Sequence, residues 1–172
     1  TLLAATGADV VAADRRPSRA RLVVRNVRAE HPIPVLVADA AQPPFPSGTF
    51  DRLLVDAPCS GLGTLRRRPD ARWRIDDDAP ERLADLQRAI VDAAVPLLRP
   101  GGVLVYSVCT LTDAESLAID EHLAATHPEL EPLPAPGEPW TSLGRGARLL
   151  PQAADTDGMY LLRLRAPGPV PT

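Results

Sequence analysis

No lysine occurs in this sequence. All 19 basic residues are Arg, set against 22 Asp and Glu for a net charge of −3. Together with abundant Ala and Pro, that pattern fits codon bias in a GC-rich genome and is background rather than chemistry. Global charge therefore does not advertise nucleic-acid binding, and any such partner must be met by a local patch. No apolar run approaches the roughly 18 residues of a membrane span, and no basic-then-apolar leader is seen, so no membrane partner is expected. Cysteine is almost absent: only Cys59 and Cys109 occur. Two thiols without a leader favour a reducing compartment, hence a cytoplasmic location. His31, His122 and His127 lack metal-ligand spacing and read as surface residues, so no metal is expected.

What is present fits one globular domain. A chain of 172 residues can bury roughly 70% of its unfolded surface. A content of 45% hydrophobic and 24% charged residues excludes general disorder. The chain opens at Thr1 directly into helix-like sequence and reads as a fragment whose natural start lies upstream. Leu2 to Ala5 has the character of a helix tail ended by Thr6-Gly7. Short apolar runs at Val10 to Ala13, Val35 to Ala38, Phe50 to Val55 and Val103 to Val108 predict strands. Between them, helices are expected over Pro17 to Glu30 and over Glu81 to Leu97, the latter with Leu83, Leu86, Ile90 and Leu97 on one face. Arg99-Pro100-Gly101-Gly102 would stop that helix. Residues 60–80 lack periodicity and form a long loop. Thr112-Asp-Ala-Glu115 has the form of a capping box opening a helix to about Thr126. A Pro-rich connector covers 128–139, and Leu149-Leu150 with Met159 to Leu164 suggests a closing hairpin. The domain is expected over 1–165, with 166–172 a flexible tail.

Apolar strands alternating with amphipathic helices predict an α/β chain with a mostly parallel sheet, covered on both faces. In such sheets ligands sit beyond the carboxyl ends of the strands. Three strands here end in Asp14, Asp39 and Asp56, and the fourth ends at Ser107-Val108-Cys109. Asp14 suits a ribose, or equally a turn ahead of Pro17-Ser18, and Asp39 has the same two readings. Asp56-Ala-Pro-Cys59 sets a carboxylate and a thiol in one turn that Pro58 stiffens, although a free Cys is often simply core. Cys109 lies before a capped helix whose N-terminus would favour the thiolate, or it is a buried strand-end residue. Arg66, Arg67, Arg68, Arg72 and Arg74, with Asp70 among them, give a local charge of +4 around Trp73. Arg beside an aromatic can grip phosphates and stack on a base; alternatively Asp76-Asp-Asp78 neutralise a solvated loop.

The stretch from Asp56-Ala-Pro-Cys-Ser-Gly to Arg66-Arg-Arg-Pro-Asp-Ala-Arg-Trp73 resembles the Pro-Cys motif and following loop of Sun-type RNA cytosine-C5 methyltransferases. Tyr106-Ser-Val-Cys-Thr-Leu-Thr-Asp-Ala-Glu-Ser116 is similar to that family's second cysteine motif, with its downstream acid in place. Leu149-Leu-Pro151 and Asp157-Gly-Met-Tyr160 resemble its C-terminal signature, so the resemblance covers essentially the whole chain. It implies a Rossmann-like class I methyltransferase fold with S-adenosylmethionine as cofactor. It also implies a 5-methylcytosine product in RNA, with small-subunit ribosomal RNA the first expectation and transfer RNA the second. By resemblance Cys109 attacks cytosine C6, Cys59 assists product release and Asp56 binds the base edge beside the cofactor. Asp14 would take the ribose and Asp39 the adenine, while Arg66, Arg67 and Trp73 would contact RNA. The family's first strand and Gly-rich cofactor loop would end just before Thr1. This chain alone is therefore expected to bind cofactor weakly and to turn over poorly; separately, a monomer is expected. A non-catalytic RNA-binding relic is the competing class; a nucleotide-dependent oxidoreductase would leave the paired cysteines unexplained.

Overall fold

The computed structural model describes residues 2–27, 32–73 and 75–169. The chain divides into two compact units, one up to Pro44 and one from Phe45 onward. In the first, helix α1 (Leu2–Ala5) is followed by strand β1 (Ala12–Asp14), helix α2 (Pro17–Asn26) and strand β2 (Val35–Val37). β1 and β2 pair in parallel, with Asp14 opposite Val37. Pro17 opens α2, where its missing N–H has no helical partner to lose. The helix ends at Asn26, and the expected continuation to Glu30 falls outside the described residues.

The second unit holds a mixed sheet in the order β3-β4-β8-β7-β6, with β5 also pairing β8. These strands are β3 (Phe50–Asp56), β4 (Leu98–Val108), β5 (Glu131–Pro132), β6 (Thr141–Leu143), β7 (Gly146–Leu149) and β8 (Met159–Arg165). Only β3 and β4 pair in parallel here, so the expectation of a mostly parallel sheet is corrected for this unit. The reason lies in the predicted closing hairpin, which forms with Leu149 opposite Met159 and sets β8 antiparallel against β4. Leu104, Tyr106 and Val108 of β4 are fully buried, as are Tyr160, Leu162 and Leu164 of β8. The β8 residues recur with the two-residue period of a strand.

Helix α3 (Ala79–Ala94) buries Ala84, Gln87, Ile90, Val91 and Ala94. Ile90, and Leu97 just beyond the helix, are buried as expected, whereas Leu83 and Leu86 are half-buried and Ala84 and Gln87 take the inner positions, Gln87 held by polar partners. A short 3₁₀ turn (Val95–Leu97) leads directly into β4. The Pro-Gly segment does not precede the strand as a stop; the β3–β4 register jumps across it, from Phe50–Leu98 to Arg52–Val103. Helix α4 (Leu117–Thr126) buries Ile119 and Leu123, and α5 (Pro151–Ala154) is one short turn. Ala166 N–H donates to the Gly102 carbonyl and Gly101 N–H to that of Pro167, so the chain after β8 is tied to β4 at its start.

Candidate active site

Two parallel neighbours deliver the site. Asp56, the last residue of β3, stands opposite Ser107 of β4. One step further, Ala57 N–H donates to the Ser107 carbonyl at 3.1 Å. Each strand then releases a cysteine, and Cys59 Sγ and Cys109 Sγ lie 3.3 Å apart. Both thiols are half-buried and free of a disulfide. The Cys59 S–H facing Cys109 holds the latter down at about 7, against desolvation and the negative charges of Asp56 and Asp157. The same contact, together with burial, pushes Cys59 up. The contact thus favours the thiolate of Cys109, the nucleophilic form, over that of Cys59. The expected helix, α4, begins only at Leu117, and the contact with Cys59 is the largest influence favouring the Cys109 thiolate.

The capping box is also corrected. Ser116, not Thr112, precedes α4, and it makes no side-chain capping bond. Glu115 turns inward and is fully buried, taking hydrogen bonds from Ser60, Gln87 and Thr112. Gln87, Ser60 and this use of Glu115 were not foreseen from sequence. The spacing Thr-x-x-Glu fits a cap, and only the position of Glu115 after Cys109 within one motif pointed elsewhere.

The loop after Cys59 is pinned on three sides. Gly61 sits at φ 72°, in the left-handed region that favours glycine. Gly63 N–H donates to the Cys109 carbonyl at 3.0 Å, and Gly158 N–H donates to the Gly63 carbonyl at 2.8 Å. A Cβ on Gly63 would run into the Gly158 carbonyl oxygen and lie 2.9 Å from that of Cys109. The C-terminal signature is thereby bound to both cysteine segments.

Beyond this junction the basic loop forms two 3₁₀ turns, Leu62–Thr64 and Pro69–Trp73. Two of its arginines pair with the C-terminal turn, while Asp76 pairs with Arg82. Arg66 pairs with Asp155 at 2.7 Å. Arg67 grips Asp157 with two nitrogens, Nε to Oδ1 at 2.8 Å, and holds that carboxyl below its usual range. Trp73 is 79% exposed, with the Arg72 guanidinium 4.9 Å from its ring centre. Arg74 falls outside the described residues.

In the first unit both acids make turns. Asp14 Oδ1 accepts from Arg16 N–H at 2.7 Å and Asp39 Oδ1 from Ala41 N–H at 3.0 Å. Asp14 ends β1, whereas Asp39 lies two residues past β2. His122 and His127 are not loose surface groups, for both converge on Asp92, at 2.8 and 3.5 Å; His31 lies outside the described residues. Among the described residues no cluster of three His, Cys, Asp or Glu is placed to hold a metal, and no helix is long and apolar enough to cross a membrane.

Parallel strand pairs with functional groups at their carboxyl ends suit many open α/β folds; the likeness to a solved relative narrows this one to the class I methyltransferase fold. NSun6 from Pyrococcus horikoshii, solved with SFG, superposes with a TM-score of 0.78 at 29% identity, over 91% of this chain and 41% of its own. The chain matches the model of the 16S rRNA methyltransferase RsmB/F family over residues 1–165, and it belongs to that family. Ribosomal RNA small subunit methyltransferase B of Thermus thermophilus is 37% identical over 167 residues, covering 95% of this chain and 41% of its own length. Ribosomal RNA small subunit methyltransferase F of Serratia proteamaculans is 40% identical over 129 residues, covering 72% of this chain and 27% of its own. The chain therefore spans about two fifths or less of these curated relatives.

Proposed function

We propose that this chain carries the catalytic cysteines of an RNA cytosine-C5 methyltransferase acting on small-subunit ribosomal RNA, with S-adenosylmethionine as cofactor. The carrying observation is the thiol pair: two sulfurs 3.3 Å apart at the ends of neighbouring parallel strands, one donating to the other. Cytosine C5 is a poor nucleophile. The Cys109 thiolate gives an electron pair to C6, forming an S–C6 bond and moving the ring's π electrons toward C5. Asp56, exposed at the end of β3, hydrogen-bonds the N3/N4 edge and holds the ring in register. After transfer the C5 proton passes to a water molecule, the C–H electron pair re-forms the C5–C6 double bond, and Cys109 departs with the S–C6 pair. Cys59, a protonated neighbour, assists that release by donating to the departing sulfur.

The cofactor supplies an electrophilic methyl group when bound. The residues present suit it: Asp14 and Asp39 carry carboxylates fixed by turn bonds at and just beyond the carboxyl end of a parallel strand pair. Acids so placed accept from ribose hydroxyls and from an adenine amino group. Arg66, Arg67 and Trp73 form the RNA-facing surface, where guanidinium groups meet phosphates and the exposed indole stacks on a base. Family membership supports the ribosomal substrate.

The test is a trapping assay on the full-length protein with S-adenosylmethionine and RNA carrying 5-fluorocytosine. Fluorine at C5 cannot leave as a proton does, so a covalent Cys109–RNA adduct survives denaturing gels. We expect an adduct with small-subunit ribosomal RNA that disappears in Cys109→Ala. An adduct formed only with transfer RNA would reassign the substrate, and no adduct from folded, cofactor-bound protein would mark a non-catalytic RNA-binding relic.

A further inference from the structure

Glu115 touches neither thiol, yet it joins the segments that carry them. It is completely buried, and its carboxylate takes four donors. On Oε1 these are Ser60 N–H at 2.8 Å and Gln87 Nε2 at 3.0 Å. On Oε2 they are the hydroxyls of Ser60 at 2.5 Å and Thr112 at 3.0 Å. A carboxylate offers about four lone-pair sites, so this one is saturated, as a charged group in a dry interior must be.

The bonds also have a direction. Ser60 Oγ gives its hydrogen to Glu115, so in its 3.0 Å contact with Thr110 Oγ1 the threonine is the donor. Ser60 follows Cys59 in the chain and Thr110 follows Cys109. One buried anion thereby sets the spacing of the residues beside the two sulfurs. Gln87 extends the frame, because its Nε2 also donates to the Pro58 carbonyl at 2.8 Å and fixes the residue before Cys59. Tyr106 closes it from β4, its hydroxyl facing Gln87 Oε1 at 2.9 Å and the Glu115 carbonyl at 2.8 Å.

We propose that Glu115 is the positioning residue of the thiol pair: its carboxylate clamps the Cys59 turn to the strand end that bears Cys109, and so aims the Cys59 S–H at the Cys109 sulfur. The inference rests on the reading of Cys109 as nucleophile. A carboxylate that only stabilised the fold would change melting temperature and leave thiol ionisation alone. A positioning carboxylate must move both, since the bond from Cys59 is the largest influence favouring the Cys109 thiolate.

The experiment measures alkylation of Cys109 by iodoacetamide against pH in the full-length protein, read by peptide mass spectrometry with neither RNA nor cofactor present. Glu115→Gln keeps the size but turns an amide N–H toward existing donors. We expect the Cys109 midpoint to rise by about one pH unit and kcat to fall at least about tenfold, with KM for RNA held within about threefold. Glu115→Asp, which keeps the charge, should recover part of both losses. Ser60→Ala removes only the hydroxyl link and should shift the midpoint less, in the same direction. A folded Glu115→Gln with an unmoved midpoint and near-normal kcat overturns the proposal. Should that variant fail to fold, an unmoved midpoint in Ser60→Ala overturns it equally. A shifted midpoint in a protein that methylates no RNA supports the positioning role while refuting the proposed function.

Discussion

The two ends of the segment from Cys59 to Trp73 are built on opposite principles. Around Cys59 and Cys109 the polar groups are buried and bonded to one another, with a single carboxylate taking four donors. Some residues later, around Arg66 to Trp73, charges are held by ion pairs at the surface and an indole stands 79% exposed. The first arrangement admits one geometry, because any displaced member leaves a buried group unsatisfied. The second can exchange partners, because exposed ion pairs contribute little and water replaces either member. A reacting sulfur needs the former, whereas a surface that meets a flexible polyanion needs the latter. Variants at the two ends should therefore fail differently.

The largest effect belongs to the reacting atom. Cys109→Ala should lower methylation at least about 1,000-fold in a single-turnover assay, while RNA affinity in a filter-binding assay stays within about threefold. Loss of RNA binding in that variant would erase the distinction between the two ends. Next comes Gly63→Ala, whose methyl group is forced against the carbonyls of Gly158 and Cys109. Overpacking against backbone should cost about 2–4 kcal/mol, read as a lower urea midpoint. An unchanged midpoint would mean that the C-terminal signature is not locked to the cysteine segments.

The pH dependence follows from the thiols. With Cys109 held at about 7, the single-turnover rate should fall about tenfold for each pH unit below that value, because only the thiolate attacks. Cys59→Ala should move this limb toward the ordinary thiol value of 9.0. Stability carries the same signature. A folded thiol held below its unfolded value binds fewer protons than the unfolded chain, so its contribution is fully present above 9.0 and disappears as pH falls through about 7. Cys59 is pushed the other way; its contribution is present below 9.0 and declines as pH rises above it. Urea midpoints should therefore climb between about pH 7 and 9 and turn over beyond. A flat profile would refute the donor–acceptor assignment within the pair.

The sequence made the chemistry more legible than the wiring. Strands ending at Asp14 and Asp56 could be read because apolar runs and turn residues are local signals, whereas the two cysteines were open between core and chemistry until the family resemblance gave them roles. The antiparallel placement of β8 beside β4, and the short β5 and β6, could not, because pairing partners far along the chain leave no periodicity. Glu115 is the instructive case. Thr112-x-x-Glu115 satisfies a helix-cap pattern, but Ser60 and Gln87, 55 and 28 residues away, outcompete the helix terminus for its carboxylate. Likewise the sequence offers the Arg loop only its neighbours at 76–78 as acidic partners, whereas Asp155 and Asp157 reach it through the β7–β8 connection.

At the adaptable end, smaller effects are expected. Trp73→Ala should weaken RNA binding by about 1–3 kcal/mol, the range for a lost stacking contact. Arg66→Ala should reduce the salt slope of binding by about one phosphate contact. Both should leave the Cys109 alkylation midpoint where it is. Movement of that midpoint in either variant would show that the two ends are one mechanical unit after all.

The smallest effect separates two tyrosines inside the same core. Tyr106 and Tyr160 are both fully buried, their rings 6.5 Å apart, and burial raises both phenols. The Tyr106 hydroxyl faces two acceptors in the Glu115 frame, whereas that of Tyr160 has no hydrogen-bond partner among the described residues. Removing a bonded hydroxyl strands its acceptors, but removing an unbonded one relieves a desolvated group. Tyr106→Phe should therefore cost about 1–3 kcal/mol, and Tyr160→Phe should be neutral or stabilising by up to about 1 kcal/mol. Paired urea denaturation curves decide it. Equal losses would mean that the Tyr160 hydroxyl is bonded in solution, and that the polar frame around the thiols extends further across the sheet than Glu115, Gln87 and Tyr106.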